Sequence, residues 1–296
     1  MTAPAIPDGS GSVDRTSVWI VAIATAVTFA VLFAEPLLGT VRLWWNDPES
    51  GHGLLLAPLA ICLAWRAGVA DDAHAQRVVG MFLLVLAVVA RYVSALAAEA
   101  FIARFSLFLA AAALVLWMWG FRQLMRWWLP ATLLALSLPL PEIVLGTLAL
   151  PLQFKASQLG AALLSTRGIP VHLDGNVIRL PGHDLFVTEA CSGLRSLTAL
   201  LSLGVLLGGM LLKRPALRVL ILLFSIPVAV LVNGVRVFMT GFLVAFVDPS
   251  LGDGFSHTTE GWLLFIVAFA ILGLITWIMM RIEFRLDRQA SGVTHA

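Results

Sequence analysis

Long apolar stretches joined by short connections constrain this chain more than any other feature of its sequence. A membrane-spanning helix needs about 20 predominantly apolar residues, and such stretches recur along most of the 296 residues. Hydrophobic residues make up 60% of the chain and charged residues only 12%. This composition leaves too little polar surface for a water-soluble domain. We therefore predict an all-α polytopic membrane protein.

About eight transmembrane helices account for these stretches. The segment between residues 141 and 168 is an additional helix candidate, which either lies along the membrane interface or re-enters the bilayer. The predicted spans lie near residues 17–38, 53–66, 79–98, 104–121, 127–141, 191–212, 217–246 and 260–281.

Basic residues predict the orientation, because Lys and Arg in short loops are retained on the cytoplasmic side. They gather at alternate ends of the spans, with Arg42, Arg91 and Arg104 as exceptions. Both termini are therefore expected in the cytoplasm, and the outer face carries residues 45–53, 141–189 and 248–259. The residues that mark the cytoplasmic ends are Arg15, Arg66, Arg77, Arg122, Arg126, Lys213, Arg214, Arg218, Arg281, Arg285 and Arg288.

The longest outer segment contains a hairpin signal. Residues 171–187 alternate apolar and polar side chains around Asp174-Gly175-Asn176, a pattern typical of a small β-hairpin. An ordered loop without strands is the alternative. Either structure would stand directly before Cys191.

Cys191 stands where this polar segment meets the next span. A cysteine in the first turn of a helix lies at the positive end of the helix dipole, and a nearby guanidinium favours the nucleophilic thiolate further. Arg195 follows at i+4, so the two residues share a helical face, and Glu189 adds a charge beside them. The alternative is a cysteine packed as a small hydrophobic residue, which is our interpretation of Cys62.

Two other segments place polar residues at the outer ends of spans. Arg236 and Asn233 lie in the seventh span, where an arginine is costly unless it faces a polar cavity or a partner. A snorkelling or helix-bridging arginine is the alternative. His257 begins the last span, where it is either an acid/base group or an interface histidine. Glu260, one turn later, either orients the imidazole or interacts with the helix dipole.

The predicted topology brings Cys191, Arg236 and His257 to the same side of the membrane at similar depth. A thiol nucleophile, an imidazole acid/base and a guanidinium that stabilises an oxyanion are the groups that acyl transfer requires. No cofactor and no metal are expected, since the histidines lack H-E-x-x-H or comparable ligand spacing. The net charge of +2 gives no reason to expect a nucleic-acid partner. His52, in the first outer loop, either lines the same cavity, contacts the substrate or is a turn residue.

These segments together resemble the signature of the exosortase/archaeosortase family. The resemblance rests on E-A-C-S-G-L-R at 189–195, on N-G-V-R at 233–236 and on His257 before Gly261-Trp262. The S-G-H-G segment at 50–53 resembles the family's early motif, and L-P-L-Q at 150–153 is similar to its mid-chain pattern. The similarity extends over about residues 45–265.

The resemblance implies a transmembrane cysteine transpeptidase of the cytoplasmic (inner) membrane. It implies a single domain over residues 17–281, with cytoplasmic tails at 1–16 and 282–296. The implied catalytic residues are Cys191, Arg236 and His257, while the role of Arg195 stays open. The implied partners are exported proteins with a C-terminal motif, a hydrophobic span and a basic cluster, of the PEP-CTERM kind. An additional envelope or polysaccharide-export partner stays open as well.

Two other functions remain as alternatives. One is a transporter or scaffold in surface-polymer export, in which Arg236 and Glu189 would line a polar pathway. Inverted repeats with broken helices would favour that function, and none is evident in the sequence. The other is a membrane acyltransferase or protease that uses the same cysteine on a different substrate.

Overall fold

The computed structural model describes residues 15–47, 50–139, 141–181, 183–187, 194–247 and 255–293. Within these ranges the chain forms ten α-helices and one small sheet, which confirms the predicted all-α membrane fold. The helices are α1 (Arg15–Asn46), α2 (Gly53–Ala67), α3 (Arg77–Ala97), α4 (Ala100–Trp119), α5 (Phe121–Arg126), α6 (Trp128–Ser137), α7 (Glu142–Ser165), α8 (Leu194–Leu211), α9 (Pro215–Phe246) and α10 (Phe255–Val293).

The predicted spans correspond to helices of two lengths. Among the described residues, five helices are long and apolar enough to cross a membrane, namely α1, α3, α4, α9 and α10. Helices α2, α6 and α8 are apolar but shorter. Large hydrophobic side chains on these helices are exposed, for example Trp65 and Val78 at 85% each. Apolar surface of this extent is expected to face lipid. Helix α10 continues to Val293, past the predicted end of the last span at residue 281.

The connections rich in basic residues meet at one end of the bundle, which we call the basic end. Trp127 Nε1 donates to the Gly68 carbonyl at 3.1 Å, joining the start of α6 to the end of α2. Glu283 of α10 accepts from the backbone N–H groups of Lys213 at 3.1 Å and Arg214 at 2.6 Å. This carboxylate binds the two backbone N–H groups that directly precede α9, and it thereby joins the α8–α9 connection to α10. The opposite end of the bundle is called the site end.

Arg91, one of the three exceptions to the charge pattern, bridges two helices. Its Nη2 donates to Glu35 Oε2 at 3.0 Å, and its Nε donates to the Leu32 carbonyl at 3.2 Å. Both partners lie on α1, whereas Arg91 lies on α3. Its position is therefore explained by pairing between helices and does not argue against the predicted orientation.

Helix α9 packs between α7, α8 and α10 in the second half of the chain. Two glycines of α8 allow the α8 and α9 backbones to approach closely. A Cβ at Gly208 would contact Ile221, and a Cβ at Gly204 would contact the Ser225 side chain. Facing residue numbers fall along α9 as they rise along α8, so the two helices are antiparallel.

Helix α7 confirms the additional helix predicted between residues 141 and 168. Its C-terminal half packs alongside α9, where Leu159 fills the space at Gly234 and Leu164 fills the space at Gly241. The facing residue numbers rise together, so α7 and α9 are parallel over this length. The C-terminal half of α7 therefore runs alongside the predicted seventh span and does not cross the end of that span.

A three-stranded antiparallel sheet follows α7, in the order β1 (His172–Asp174), β2 (Val177–Leu180) and β3 (His183–Phe186). The predicted hairpin is confirmed as β1 and β2, and β3 is a strand that the sequence pattern did not indicate. Gly175 takes a φ of +63° in the turn between β1 and β2, a conformation that favours glycine. The buried residues Ile178 and Leu180 pack the sheet against α7 and α9.

Gly80 and Gly273 provide a matched test of helix packing. A Cβ at Gly80 would lie 2.6 Å from the backbone of Trp117 on α4, whereas a Cβ at Gly273 would meet nothing within 4 Å. Overpacking costs about 1–3 kcal/mol, and alanine stabilises an unobstructed helix by up to about 1 kcal/mol relative to glycine. We expect Gly80→Ala to lower the apparent Tm in detergent by about 2–6 °C. Gly273→Ala should leave the Tm unchanged or raise it, and equal decreases in both variants would contradict this packing.

Candidate active site

The floor of the candidate site is formed by one buried residue from each of three helices. Leu197 of α8, Val232 of α9 and Leu264 of α10 are 8%, 7% and 6% exposed and belong to one apolar cluster. Arg236 lies one turn beyond Val232, and α8 begins one turn before Leu197. His257 lies two turns before Leu264, about 10 Å along the axis. The three segments that carry the predicted catalytic residues therefore adjoin one core.

The register between α8 and α9 sets the depth of Arg236. Gly204 faces Ser225 across the antiparallel pair, and both helices rise about 1.5 Å per residue. Leu194 lies ten residues before Gly204 on α8. The residue that faces Leu194 on the antiparallel α9 therefore lies ten residues after Ser225, at Val235. Arg236 lies level with the first residue of α8, which follows the segment that contains Cys191.

Asn233 and Arg236 are polar residues in the mostly apolar half of α9 nearest the site end. Asn233 is 4% exposed, and Arg236 is half-buried with its Nε atom fully buried. Both side chains have interaction partners, as buried polar groups in an apolar bundle require. The Arg236 carbonyl also accepts from Thr240 Oγ1 at 3.1 Å. Gly234, between the two polar residues, holds α9 against Leu159 of α7.

Cys191 and Glu189 lie outside the described residues, but the chain is anchored on both sides of them. Val187 is 1% exposed at the end of the sheet, and Leu194 begins α8.

The remaining predicted residues near the cysteine are located only by their helices. Arg195 is the second residue of α8, and His257 and Glu260 lie in the first two turns of α10. The side chains of all three lie outside the described part of the molecule. Helix α8 is described from Leu194 and α10 begins at Phe255, whereas the predicted spans began near residues 191 and 260. The chemical roles of all three residues stay predictions.

His52 has a structural contact in the connection between α1 and α2. Its Nε2 lies 3.2 Å from the Leu136 carbonyl, to which it donates at the end of α6. Trp44 Nε1 donates to the neighbouring Ser137 carbonyl at 2.8 Å. Carbonyls in the last turn of a helix lack partners within the helix, so these two side chains cap α6. Gly53 leaves the space that the Trp44 indole fills. A contact between His52 and substrate stays a prediction.

Near Val187 the structure brings together two amides to which the sequence pattern assigned no role. Gln153 of α7 is 3% exposed, and its Oε1 lies 3.5 Å from Asn176 Nδ2 in the β1–β2 turn. Asn176 in turn binds Val187, four residues before Cys191. In the sequence, Gln153 is a polar residue within an apolar helix, which could have indicated a buried contact. Its partner Asn176 is distant in sequence, so the pattern did not identify the pair.

Within the described ranges, no three His, Cys, Asp or Glu side chains cluster closely enough to hold a metal ion. Cys191, Glu189 and the His257 side chain are not among those residues. The expectation that no metal is needed therefore stays a prediction.

Comparison with known proteins gives one match. A family model described as transmembrane exosortase matches residues 44–274. This range covers most of the chain and contains every candidate site residue, from His52 to Glu260. Neither a curated protein nor a solved structure matches the chain significantly.

The α8–α9 register can be tested by disulfide cross-linking. Gly204→Cys with Ser225→Cys should form a disulfide under mild oxidation, because these positions are in contact and disulfides join Cα atoms about 4.4–6.8 Å apart. Cys62→Ala and Cys191→Ala remove the native thiols. Gly204→Cys with Val232→Cys is the control, since Val232 lies about 10 Å farther along α9. Mass spectrometry of the linked peptides reports the yield. Equal yields for both pairs would contradict the register that places Arg236 level with Leu194.

Proposed function

The chain belongs to the transmembrane exosortase family, and on this premise we propose that it is a cysteine transpeptidase. It would cleave C-terminal sorting signals of exported proteins at the outer face of the cytoplasmic membrane. The observation that carries the proposal is the convergence of α8, α9 and α10 on the floor formed by Leu197, Val232 and Leu264. This convergence supports the proposal because Arg236, the start of α8 that follows Cys191 in the chain, and the first turn of α10 belong to the end of the bundle opposite the basic end.

The proposed reaction begins when the Cys191 thiolate attacks the carbonyl carbon of the scissile peptide bond. Arg236 donates hydrogen bonds to the oxyanion of the tetrahedral intermediate, where donors placed for the developing charge stabilise the transition state. His257 protonates the leaving amine as the C–N bond breaks, and a thioester remains on Cys191. His257 then takes a proton from an incoming nucleophile. An amine nucleophile gives transpeptidation, and water gives hydrolysis.

The position of the site within the bundle suits a substrate that is itself anchored in the membrane. The helices around the site expose apolar side chains, so a hydrophobic segment of the substrate can approach laterally through lipid. Arg236 lies on α9 about three turns, or roughly 15 Å, before the helix ends at Phe246 and about 27 Å beyond Arg218 at the basic end. It therefore lies near the edge of an apolar core about 30 Å thick, which is the depth at which a substrate span would leave the apolar phase. A peptide bond just outside such a span would reach the Cys191 segment.

The two cysteines provide the decisive test of the proposed nucleophile. Exported proteins with candidate motif, span and basic tails are co-expressed with the enzyme, and mass spectrometry identifies any new C-terminus. Cys191→Ala should lower processing by at least about 1,000-fold, as loss of a nucleophile does in other acyl transferases. Cys62→Ala is the matched control, because Cys62 is an exposed residue of α2 and should retain processing. A transporter or scaffold would tolerate both substitutions equally.

Arg236 can be compared with a second arginine of the same helix. Arg236→Gln should lower the rate of thioester formation by about 100- to 1,000-fold, the usual cost of losing one oxyanion donor. Arg218→Gln is the control, since Arg218 donates to the Leu212 carbonyl at the basic end. Single-turnover kinetics with trapped acyl-enzyme measure both. Rates within about threefold of each other would argue against Arg236 as the oxyanion donor.

A further inference from the structure

Val187, which leads into the Cys191 segment, is held at both of its backbone groups by one residue. Its N–H donates to the Asn176 carbonyl at 3.0 Å, and its carbonyl accepts from Asn176 Nδ2 at 3.1 Å. The Val187 side chain is 1% exposed. Asn176 therefore extends the pairing of β2 and β3 beyond the last strand residue and ends it at a defined point.

Gln153 orients the Asn176 amide. Its Oε1 lies 3.5 Å from Asn176 Nδ2, at the long limit of a hydrogen bond, and its side chain is buried in the packing of α7. A primary amide carries two N–H donors, so Asn176 can serve the Val187 carbonyl and Gln153 Oε1 together. A carboxylate at position 176 only accepts hydrogen bonds, and it would face two other acceptors, the Val187 carbonyl and Gln153 Oε1. The contacts thus require an amide, and a residue of the same shape without donors would not replace it.

Apolar contacts connect Val187 to the helix that carries Arg236. The Val187 side chain belongs to a buried cluster with Val237, the residue that follows Arg236. Helix α7, from which Gln153 extends, packs on α9 through Gly160, where a Cβ would overlap the Val237 side chain. Val187 and helix α7 are therefore both held against the part of α9 that carries Arg236.

We propose that Asn176 and Gln153 are positioning residues, which hold the Val187 end of the Cys191 segment at a set distance from Arg236. They act through Val187 and touch neither the substrate nor the reacting atoms. This inference rests on the proposed function, because the distance matters for catalysis only if Cys191 and Arg236 act on the same carbonyl. A misplacement of about 1 Å in such an arrangement can cost about 100-fold in rate.

The β1–β2 turn offers a reciprocal pair of substitutions as the test. Asn176→Asp keeps the shape of the side chain and removes both donors. Asp174→Asn makes the opposite exchange two residues earlier and removes only an exposed ion pair, in which Arg179 Nη2 donates to Asp174 Oδ2 at 3.0 Å. Gln153→Leu is a second variant that removes the acceptor on α7 and leaves the turn sequence intact. The full-length protein is studied in lipid nanodiscs.

Two measurements separate positioning from general stability. Hydrogen exchange should become faster at Val187 and in the peptide that follows it for Asn176→Asp and Gln153→Leu, and should not change for Asp174→Asn. With a tail that the wild-type enzyme processes, kcat should fall by at least about 10-fold for Asn176→Asp, and by less for Gln153→Leu, while KM stays within about threefold.

Unchanged exchange at Val187 in both variants would overturn the proposal, and so would faster exchange with an unchanged kcat. Processing that survives Cys191→Ala, or that is absent from the wild type on every tail, would instead overturn the proposed function. In that case the exchange measurement alone decides whether Asn176 and Gln153 hold Val187.

Discussion

Close packing of α9 against its neighbours is the constraint on which the rest of this structure depends. Lipid is as apolar as the helix surfaces, so helices associate in a membrane through tight packing and not through removal of apolar surface from water. Glycines supply that packing on both sides of α9: Gly204 and Gly208 of α8 on one side, and Gly160 of α7 on another. Because these contacts allow little sliding, the helix register carries Arg236 to the level at which α8 begins.

Polar side chains within the bundle have two different explanations, and their contacts distinguish them. Arg91 pairs with Glu35 and with a carbonyl of α1, so it links two helices far from the candidate site in the chain. Arg236 and the buried Asn233 instead lie on α9 near the level at which α8 begins. The cost of a charge in an apolar medium is the same in both places, but only the second location belongs to the site that we propose for acyl transfer.

The small sheet that precedes Cys191 in the chain is held on the bundle, because Ile178, Leu180 and Val187 pack on α7 and α9. Buried apolar contacts fix the depth of the sheet, and the Asn176 amide fixes where its last strand ends. Val187, the last described residue before Cys191, thus packs on the helix that carries Arg236.

The sequence by itself determined the membrane fold, the approximate positions of the apolar helices and the three motif segments, because each depends on local composition, periodicity or spacing. It indicated a hairpin before Cys191 but left an ordered loop as an equal alternative, and the structure decided between them. The chemical roles of Cys191, Arg236 and His257 and the side of the membrane remain predictions drawn from it. Only the tertiary structure decided the α8–α9 register, the parallel packing of α7, the third strand, and the contact between Gln153 and Asn176. Those features depend on the fit of side chains from segments far apart in the chain, and a linear pattern of apolar and polar residues does not specify which surfaces fit together.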